Sequence, residues 1–522
     1  MIVLVGFMGS GKSSIGRRLA SLLGTRFADT DEMIEERAGE SIASIFERGG
    51  EAAFREIERL VVDDALAGDA EVVALGGGAV QHQPTRASLG ADRVEVVYLE
   101  TTLADALARV EDGFGRPMLS LRDPEELWSE RTPLYRSVAT CTVRVADRTV
   151  DEVVVEITRR LARGPRRIGV TAASGDYDVI VGRDLLGRLA DFVPASVDPE
   201  NAFVVTHPSL AELAQPVVDS LATKGVRTIV LHMPEGETSK SLDTAGGLFS
   251  GLADAAAHRG DLVVSVGGGV ITDVGGFVAS TFNRGMPLIH APTSLLAQVD
   301  AAIGGKSGVN LPHAKNLVGT FYAPAAVVAD AGALASLPFE ELRSGLAEVV
   351  KYGLIADPEL LELIAARAGA ILAFDLDQLE EVVARSVAIK ASIVSADERD
   401  SGVRAHLNYG HTFGHAIEAA SGYEGIKHGE AISIGMMAAA HLARVKGRID
   451  DGVVSAHRDA LRALGLPVAA SLDLDVLERA WLRDKKYDRT VRFVLLAGLG
   501  LPEARVPATR EEIIEALKRL ES

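Results

Sequence analysis

From residue 1 to about 160, short apolar β-branched runs alternate with stretches of helical periodicity, the pattern of a parallel α/β sheet. The strands this predicts are 2–5, 72–75, 94–99 and 142–145. A helix over 150–162 follows and runs into LARGPRRIGV, whose Arg/Gly/Pro content predicts a linker over 164–169. A second α/β run has its strands at 202–206, 228–231, 262–266, 288–291 and 327–329. Beyond about residue 330 the strand signal fades, and Ala/Leu/Glu-rich helical periodicity continues to the C-terminus. The expected plan is therefore an α/β domain over 1–163, the linker, a Rossmann-like α/β domain over 170–330 and an all-helical domain over 331–522.

Two strands in this plan end in the same way, VVALGGGAV at 72–80 and VVSVGGGVI at 263–271. Their flanks share nothing, so they read as one solution used twice: a buried strand ending in glycines that let backbone approach a ligand.

Composition narrows the function classes. The 522 residues suit about three or four domains, and 47% apolar with 24% charged residues is ordinary for a globular protein. A net charge of −19 argues against nucleic acid or an anionic membrane as partner. Any anionic substrate must then be drawn in by local basic clusters. The single cysteine, Cys141, excludes a disulfide framework and fits a reducing cytoplasm. No apolar run reaches membrane-spanning length, and the first residues enter a strand without a basic leader, so a cytoplasmic chain is expected.

The segment from Gly6 to Ser13, GFMGSGKS, is G-x-x-x-x-G-K-[ST] between a strand and a helix, the context a phosphate-binding P-loop requires. Gly9, Ser10 and Gly11 supply the backbone nest, with Ser14 opening the helix. Lys12 is placed to reach the β/γ-phosphates of ATP, and Ser13 to ligate Mg²⁺. A P-loop does not name the phosphate acceptor.

Near the other end, 404–430 reads RAHLNYGHTFGHAIEAASGYEGIKHGE and holds His411, His415 and His428, in a chain with 12 histidines. Upstream, GLAEVVKYG places Glu348 and Lys351 on one helical face. Imidazoles with a carboxylate are the ligand types for zinc or a related divalent ion. Spacing alone favours His411 and His415, four apart, as the metal pair. A metalloprotease is excluded because Thr412 stands where H-E-x-x-H needs glutamate. Between the two ends, Glu235 to Lys240, Gly267-Gly268-Gly269 with Asp273, and Pro292-Thr293-Ser294 read as nucleotide contacts. GGGVITD alone is weak, lacking the full dinucleotide fingerprint.

Two resemblances connect these pieces. The opening FMGSGKSSIGRRLA, Asp29-Thr30-Asp31, Phe54-Arg55, Gly76-Gly77-Gly78, Gly115-Arg116-Pro117 and Arg131-Thr132-Pro133-Leu134-Tyr135 follow at the order and spacing of shikimate kinase, over about 1–160. That resemblance implies that Asp31 holds a ring hydroxyl of shikimate and serves as its base. It also implies that Arg55 and Arg131 pair with the carboxylate and that Gly77 touches the ring. Arg116, on a glycine-rich lid, would neutralise the transferring phosphoryl group, Arg109 would stack on adenine, and Asp29 would support Mg²⁺ through water. Ser14 stands where many shikimate kinases have threonine, outside the Mg²⁺ ligand position.

Residues 170–510, with AQVDAAIGGKSGVNLPHAKNLVG, RSGLAEVVKYG, NYGHTFGHAIEA, KHGEA and RDKK, resemble 3-dehydroquinate synthase. That family implies Glu348, His411 and His428 as ligands of Zn²⁺ (or Co²⁺), with His415 left to contact substrate. It implies NAD held by Glu235, Glu237, Lys240, Gly268, Gly269, Val270, Asp273, Thr293, Ser294, Lys306 and Lys315. Its substrate, 3-deoxy-D-arabino-heptulosonate 7-phosphate, would meet Arg284, Asp300, Lys306, Asn316, Lys351, Lys390, Arg404, Asn408, His415 and Lys485 or Lys486. The family chemistry is oxidation, β-elimination of phosphate, reduction, ring opening and aldol closure, with NAD⁺ regenerated. A homodimer through this half is the family's common state.

The combined expectation is a bifunctional shikimate-pathway enzyme. Its two steps are not consecutive there, so no direct transfer between the sites is expected. A metal-dependent polyol dehydrogenase or another sugar-phosphate cyclase is the alternative for the second half. Another small-molecule kinase or an ATP-binding regulatory module is the alternative for the first.

Overall fold

Strand β1 (Ile2–Val5) is apolar throughout because it lies at the centre of a parallel sheet covered on both faces. The computed structural model describes residues 1–89, 94–109, 122–162, 164–311, 314–400, 402–421, 425–481 and 491–521. With β2 (Phe27–Asp29), β3 (Val72–Ala74), β4 (Glu95–Glu100) and β5 (Cys141–Arg144), β1 forms a five-stranded sheet in the order β2-β3-β1-β4-β5, all parallel. Alternate residues feed two cores. Val3, Val5, Val73 and Tyr98 enter one, and Leu4, Val72, Val97 and Leu99 the other. The P-loop leaves the C-terminal end of β1 and opens helix α1 (Lys12–Leu23), capped by Gly11 at φ 85°. Helices α2 (Ile42–Ala67) and α3 (Pro124–Val138) carry Arg55 and Arg131.

The chain divides into two compact units. One is Met1–Gly164 with Asp184–Ala190 and Asp219–Lys224; the other is Pro165–Arg183, Asp191–Val218 and Gly225–Ser522. The expected linker is therefore only partly a linker. Arg166–Val170 forms β6, an edge strand pairing antiparallel with β7 (Tyr177–Gly182). Its alternating burial let the arginines read as a linker, since every second side chain of an edge strand faces water.

β8 (Asn201–Thr206), β9 (Arg227–His232), β10 (Leu262–Gly267), β11 (Leu288–Pro292) and β14 (Ala326–Asp330) complete a seven-stranded sheet in the order β6-β7-β14-β11-β10-β8-β9. Between the last two of these in the chain, β12 (Lys306–Leu311) and β13 (Ala314–Phe321) form a separate hairpin. Chain order reverses between β8 and β10, which opens a crevice at their C-terminal ends. Helix α4 (Gly269–Thr281) starts there, capped by Gly268.

The C-terminal region is helical, with one antiparallel hairpin, β15 (Arg492–Leu496) with β16 (Pro502–Pro507), that helical periodicity on either side concealed. One hydrophobic core runs from Val179 and Val327 of the sheet to Leu520, so the two domains expected over 170–522 share an interior. Helix α5 (Phe339–Ile355) is buried on nearly every side from Leu342 onward and forms its centre. Around it lie α6 (Leu376–Ala396), α7 (His411–Ala420) and α8 (His428–Val445).

Glycines set how closely these helices approach. A Cβ at Gly435 would lie 2.2 Å from Gly410 O and 2.8 Å from Gly414 N. A Cβ at Gly429 would lie 2.1 Å from Ser344 O. Gly435→Ala must therefore part α7 from α8. The expected cost is about 1–3 kcal/mol, read as an earlier thermal transition together with weaker Zn²⁺ binding by the groups those helices carry. Unchanged melting and unchanged zinc affinity would show that the contact is not rigid.

Candidate active sites

In the first unit a cavity of about 400 Å³ is lined by Gly9, Ser10, Gly11, Lys12, Ser13 and Ser14 on one side. Asp29, Asp31, Arg109 and Arg148 line it as well. Gly9 and Gly11 have φ of 80° and 85°, conformations a side chain would strain. Lys12 Nζ donates to the carbonyls of Gly6 (2.8 Å) and Phe7 (3.1 Å), so the ammonium is folded over the loop it belongs to. Ser13 Oγ donates to Asp29 Oδ2 at 2.6 Å, and Asp29 Oδ1 accepts from Asp31 N at 3.0 Å. A hydroxyl and a carboxylate joined beside a P-loop are hard oxygen donors suited to Mg²⁺.

A second set of groups adjoins Asp31. A Cβ on Gly76 would meet Asp31 Oδ1 at 2.6 Å and Glu58 Oε1 at 3.0 Å, which places the two carboxylates side by side. Burial raises the Glu58 carboxyl above its ordinary value, partly offset by Arg55, and Asp31 adds to the rise. Arg55 Nη1 donates to Glu58 at 2.6 Å and Arg55 Nη2 to Gln81 at 3.2 Å. Arg131, on α3, is 1% exposed, and its Nε and Nη2 have no hydrogen-bond partner among the described residues. Desolvation holds its guanidinium below the ordinary arginine value. Tyr135, one turn along, donates to Gly77 O at 2.5 Å and pins the glycine turn. Arg116 lies outside the described residues.

In the second unit the crevice between β8 and β10 is edged by Gly268 and Gly269. A Cβ on Gly268 would lie 3.3 Å from Ser294 Oγ, so a side chain at this position would press on Ser294. Thr293 N donates to Gly267 O at 3.0 Å, tying the end of β11 to that of β10. Lys240 is ion-paired to Asp273. Burial pushes the Asp273 carboxyl up to about 6 even against Lys240. Glu237 accepts from Asn310 at 2.7 Å, Asn310 Oδ1 accepts from Asn316 N at 2.9 Å, and Glu235 faces His207 at 3.3 Å. Val270 follows on α4.

Deeper in, three helices converge. Glu348 (α5), His411 (α7) and His428 (α8) offer ligand atoms that all lie within 4.8 Å of one another. Glu348 Oε1 is 3.4 Å from His411 Nε2 and 3.3 Å from His428 Nε2. Its other oxygen is ion-paired to Lys351, without a hydrogen bond. The donor set fits a divalent cation on internal evidence. His411 Nδ1 donates to Tyr409 O at 3.1 Å, which fixes the ring so that Nε2 is the nitrogen turned to the carboxylate. Two imidazole nitrogens and a carboxylate oxygen converging from three helices are the donor set of a divalent-cation site. His428 Nδ1 faces Glu418 Oε1 at 3.2 Å. Burial alone would push His428 down, but Glu348 and Glu418 raise it to about 10. His415 is near, its ring 5.2 Å from that of His411, yet it is outside the ligating group. The four-apart pairing that spacing favoured therefore gives way to His411 with His428.

Cations and polar groups flank this set. Asp300 accepts from Tyr352 Oη at 3.0 Å and is ion-paired to Lys390, whose Nζ also donates to Asp300 O at 2.6 Å. Burial lowers the Lys390 ammonium to about 8. Arg404 is buried, donates to Gly304 O at 3.1 Å, and has its backbone N–H on Asp397 at 3.0 Å. Lys306 pairs with Asp400 at 3.0 Å, and Asn408 donates to Ala405 O at 3.2 Å. Lys315 lies in β13, close enough to Glu418 for their charges to interact. Arg284 sits on an exposed turn at φ 62°, beyond the far end of α4, about 20 Å of helix from Gly269. Lys485 and Lys486 lie outside the described residues.

Comparison with known proteins matches residues 230–344 to the 3-dehydroquinate synthase N-terminal family model and 345–487 to its C-terminal counterpart. Residues 8–162 match the shikimate kinase model. The 3-dehydroquinate synthase of Thermobifida fusca (strain YX) is 47% identical over 340 residues, covering 64% of this chain and 91% of that protein. This chain belongs to the 3-dehydroquinate synthase family. Its first part is a shikimate kinase domain. A solved 2-deoxy-scyllo-inosose synthase, complexed with carbaglucose-6-phosphate, NAD⁺ and Co²⁺, is 28% identical at a TM-score of 0.62, over 68% of this chain and 99% of its own. A 2-epi-5-epi-valiolone synthase from Streptomyces hygroscopicus subsp. jinggangensis 5008, with NAD⁺ and Zn²⁺ bound, is 28% identical at 0.61, over 67% and 98%.

Sequence reasoning missed several groups of the kinase and synthase sites. Glu58 lies three residues after Arg55 on α2, so the spacing of the pair was the available signal. Arg148 had none. In the synthase half, Tyr352 and Glu418 stand within quoted motifs, but their partners, Asp300 and His428, come from other elements.

Proposed function

We propose that the kinase unit phosphorylates shikimate with ATP and Mg²⁺, and that the synthase unit converts 3-deoxy-D-arabino-heptulosonate 7-phosphate to 3-dehydroquinate with NAD and a divalent metal. The observation that carries the second half is Glu348–His411–His428, two imidazoles and a carboxylate, beside buried Lys351, Lys390 and Arg404. The ligands of the two solved relatives, NAD⁺ with Co²⁺ or Zn²⁺, support that reading.

When bound, NAD takes and returns a hydride, and the metal polarises a substrate oxygen. The chain's own groups do the rest. Lys240 and Asp273 fix one wall of the nucleotide crevice, and Glu237 with Asn310 the other. Lys390, whose Nζ rests on Asp300, presents its ammonium to the anionic substrate beside that carboxylate. Arg404 and Lys306 meet the anionic ends, and His415 holds a proton near the ring. In the kinase, Lys12 leaves the carbonyls of Gly6 and Phe7 for the phosphates. Asp31 takes the proton of the attacking hydroxyl, while Arg55 and Arg131 clamp the carboxylate.

The enzyme is further proposed to be cytoplasmic, to bind no nucleic acid, and to dimerise through the synthase half. Among the described residues no helix is long and apolar enough to cross a membrane.

The test is phosphate release from the heptulosonate phosphate by metal-stripped protein, with NAD⁺ and Zn²⁺ added singly and together while NADH absorbance is followed. Release that needs both and leaves no NADH is expected. Stoichiometric NADH would make this half a dehydrogenase. Shikimate-dependent ADP release tests the other half.

A further inference from the structure

Three functional groups share one face of α7. His411, His415 and Glu418 are spaced i, i+4, i+7, which lines them up along a helix. Two of them have roles above; the third does not.

Glu418 is 16% exposed at its side chain and faces His428 Nδ1 at 3.2 Å, across from α8. The opposite ring nitrogen, Nε2, faces Glu348 at 3.3 Å. The geometry points to Glu418 as the positioning residue of His428: its carboxylate accepts the hydrogen bond of Nδ1–H, fixes the ring plane, and makes Nε2 the stronger donor to a divalent cation. This rests on the metal reading of Glu348, His411 and His428.

The contrast with His411 sharpens the point. That ring is held by a neutral backbone carbonyl, Tyr409 O. His428 is held by an anion. A carboxylate accepting from a ligating imidazole raises its basicity as well as orienting it. It has a further use here, because His428 is the first residue of α8 and has no preceding turn of its own helix to pack against. A carboxylate reaching over from α7 supplies the missing constraint and ties the ligands of the two helices together.

If Glu418 served only helix packing, replacing it would lower stability without touching the cation. The experiment therefore reads the metal directly, in the full chain stripped of metal. Zn²⁺ is titrated in competition with a chromophoric chelator, and Co²⁺ is added separately for its visible spectrum. Glu418→Ala is expected to weaken Zn²⁺ binding about 10–100-fold and to shift the Co²⁺ bands. Glu418→Gln keeps an acceptor oxygen without the charge and is expected to fall between. Shikimate phosphorylation by the same preparations should be unchanged. Wild-type zinc affinity and cobalt bands in Glu418→Ala would overturn the assignment. So would losses that track a lowered melting temperature in both variants. A wild-type chain that takes up no Zn²⁺ would instead sink the metal reading beneath it, and Glu348→Gln serves as the reference for losing a direct ligand.

Discussion

Glu348→Gln is expected to abolish synthase turnover, by about a thousandfold or more, while leaving shikimate phosphorylation in the same preparation intact. The magnitude follows from what one oxygen does. Glu348 is fully buried, and its Oε1 is the only anionic oxygen facing both His411 Nε2 and His428 Nε2 in the described ligand group. Glutamine fills the same space but presents a neutral donor–acceptor in place of an anion. A Lewis-acid contribution of several kcal/mol, at about 1.4 kcal/mol per factor of ten, gives roughly three decades. The substitution also strips Lys351 of its counter-charge, and Lys351 is itself 1% exposed. Breaking a buried pair by removing one partner costs about 3–5 kcal/mol, so the variant should also melt earlier. Metal content per chain and phosphate release are the two readouts. A variant that retains one metal per chain and turns over within tenfold of wild type would remove Glu348 from the ligand set.

What could be read from the sequence divides along a physical line. The P-loop was legible because everything that makes it work is local: glycines at positive φ, a preceding buried strand and the helix it opens. The central strands β1, β8, β10 and β11 were legible for a related reason, since burial on both faces makes them continuously apolar. Edge strands are half wet, and β6 passed as a linker on the strength of its arginines. The hairpin β15–β16 was lost inside helical periodicity. The cation cluster was harder still. Its members lie in sequence up to 80 residues apart, as Glu348 and His428 do, and local spacing pointed to His415 rather than His428. The family pattern named His428 instead, the residue the structure brings beside Glu348 and His411. The three-helix packing through Gly410, Gly429 and Gly435 accounts for that grouping. His415 sits a turn further along α7, whereas the N-terminus of α8 delivers His428 directly opposite Glu348. Pairings such as Glu418 with His428, or Tyr352 with Asp300, depend on tertiary placement and leave no one-dimensional signature.

Arg131 makes the same point from the kinase side and yields the second large effect. Its two unpartnered nitrogens, Nε and Nη2, are the adjacent pair that forms the side-on fork of a guanidinium, the edge that matches a carboxylate in two parallel hydrogen bonds. Arg55 nearby opposes its charge, and burial disfavours it, with Glu58 and Tyr135 as partial compensation. The side chain is thus held at a cost that a bound carboxylate would offset. Arg131→Met, similar in length and apolar, should remove both the cost and its purpose. The kcat/KM for shikimate is expected to fall about 10²–10³-fold, the range for truncating one partner of a buried charge pair worth about 3–4 kcal/mol. KM should carry much of that loss. The thermal transition of the kinase unit should hold or rise, because an apolar side chain replaces a poorly compensated buried charge. Arg131→Lys keeps the charge but not the fork and should recover little of the activity. A methionine variant that melts well below wild type and still phosphorylates shikimate within tenfold would mean that Arg131 braces the α3 helix and does not read the substrate.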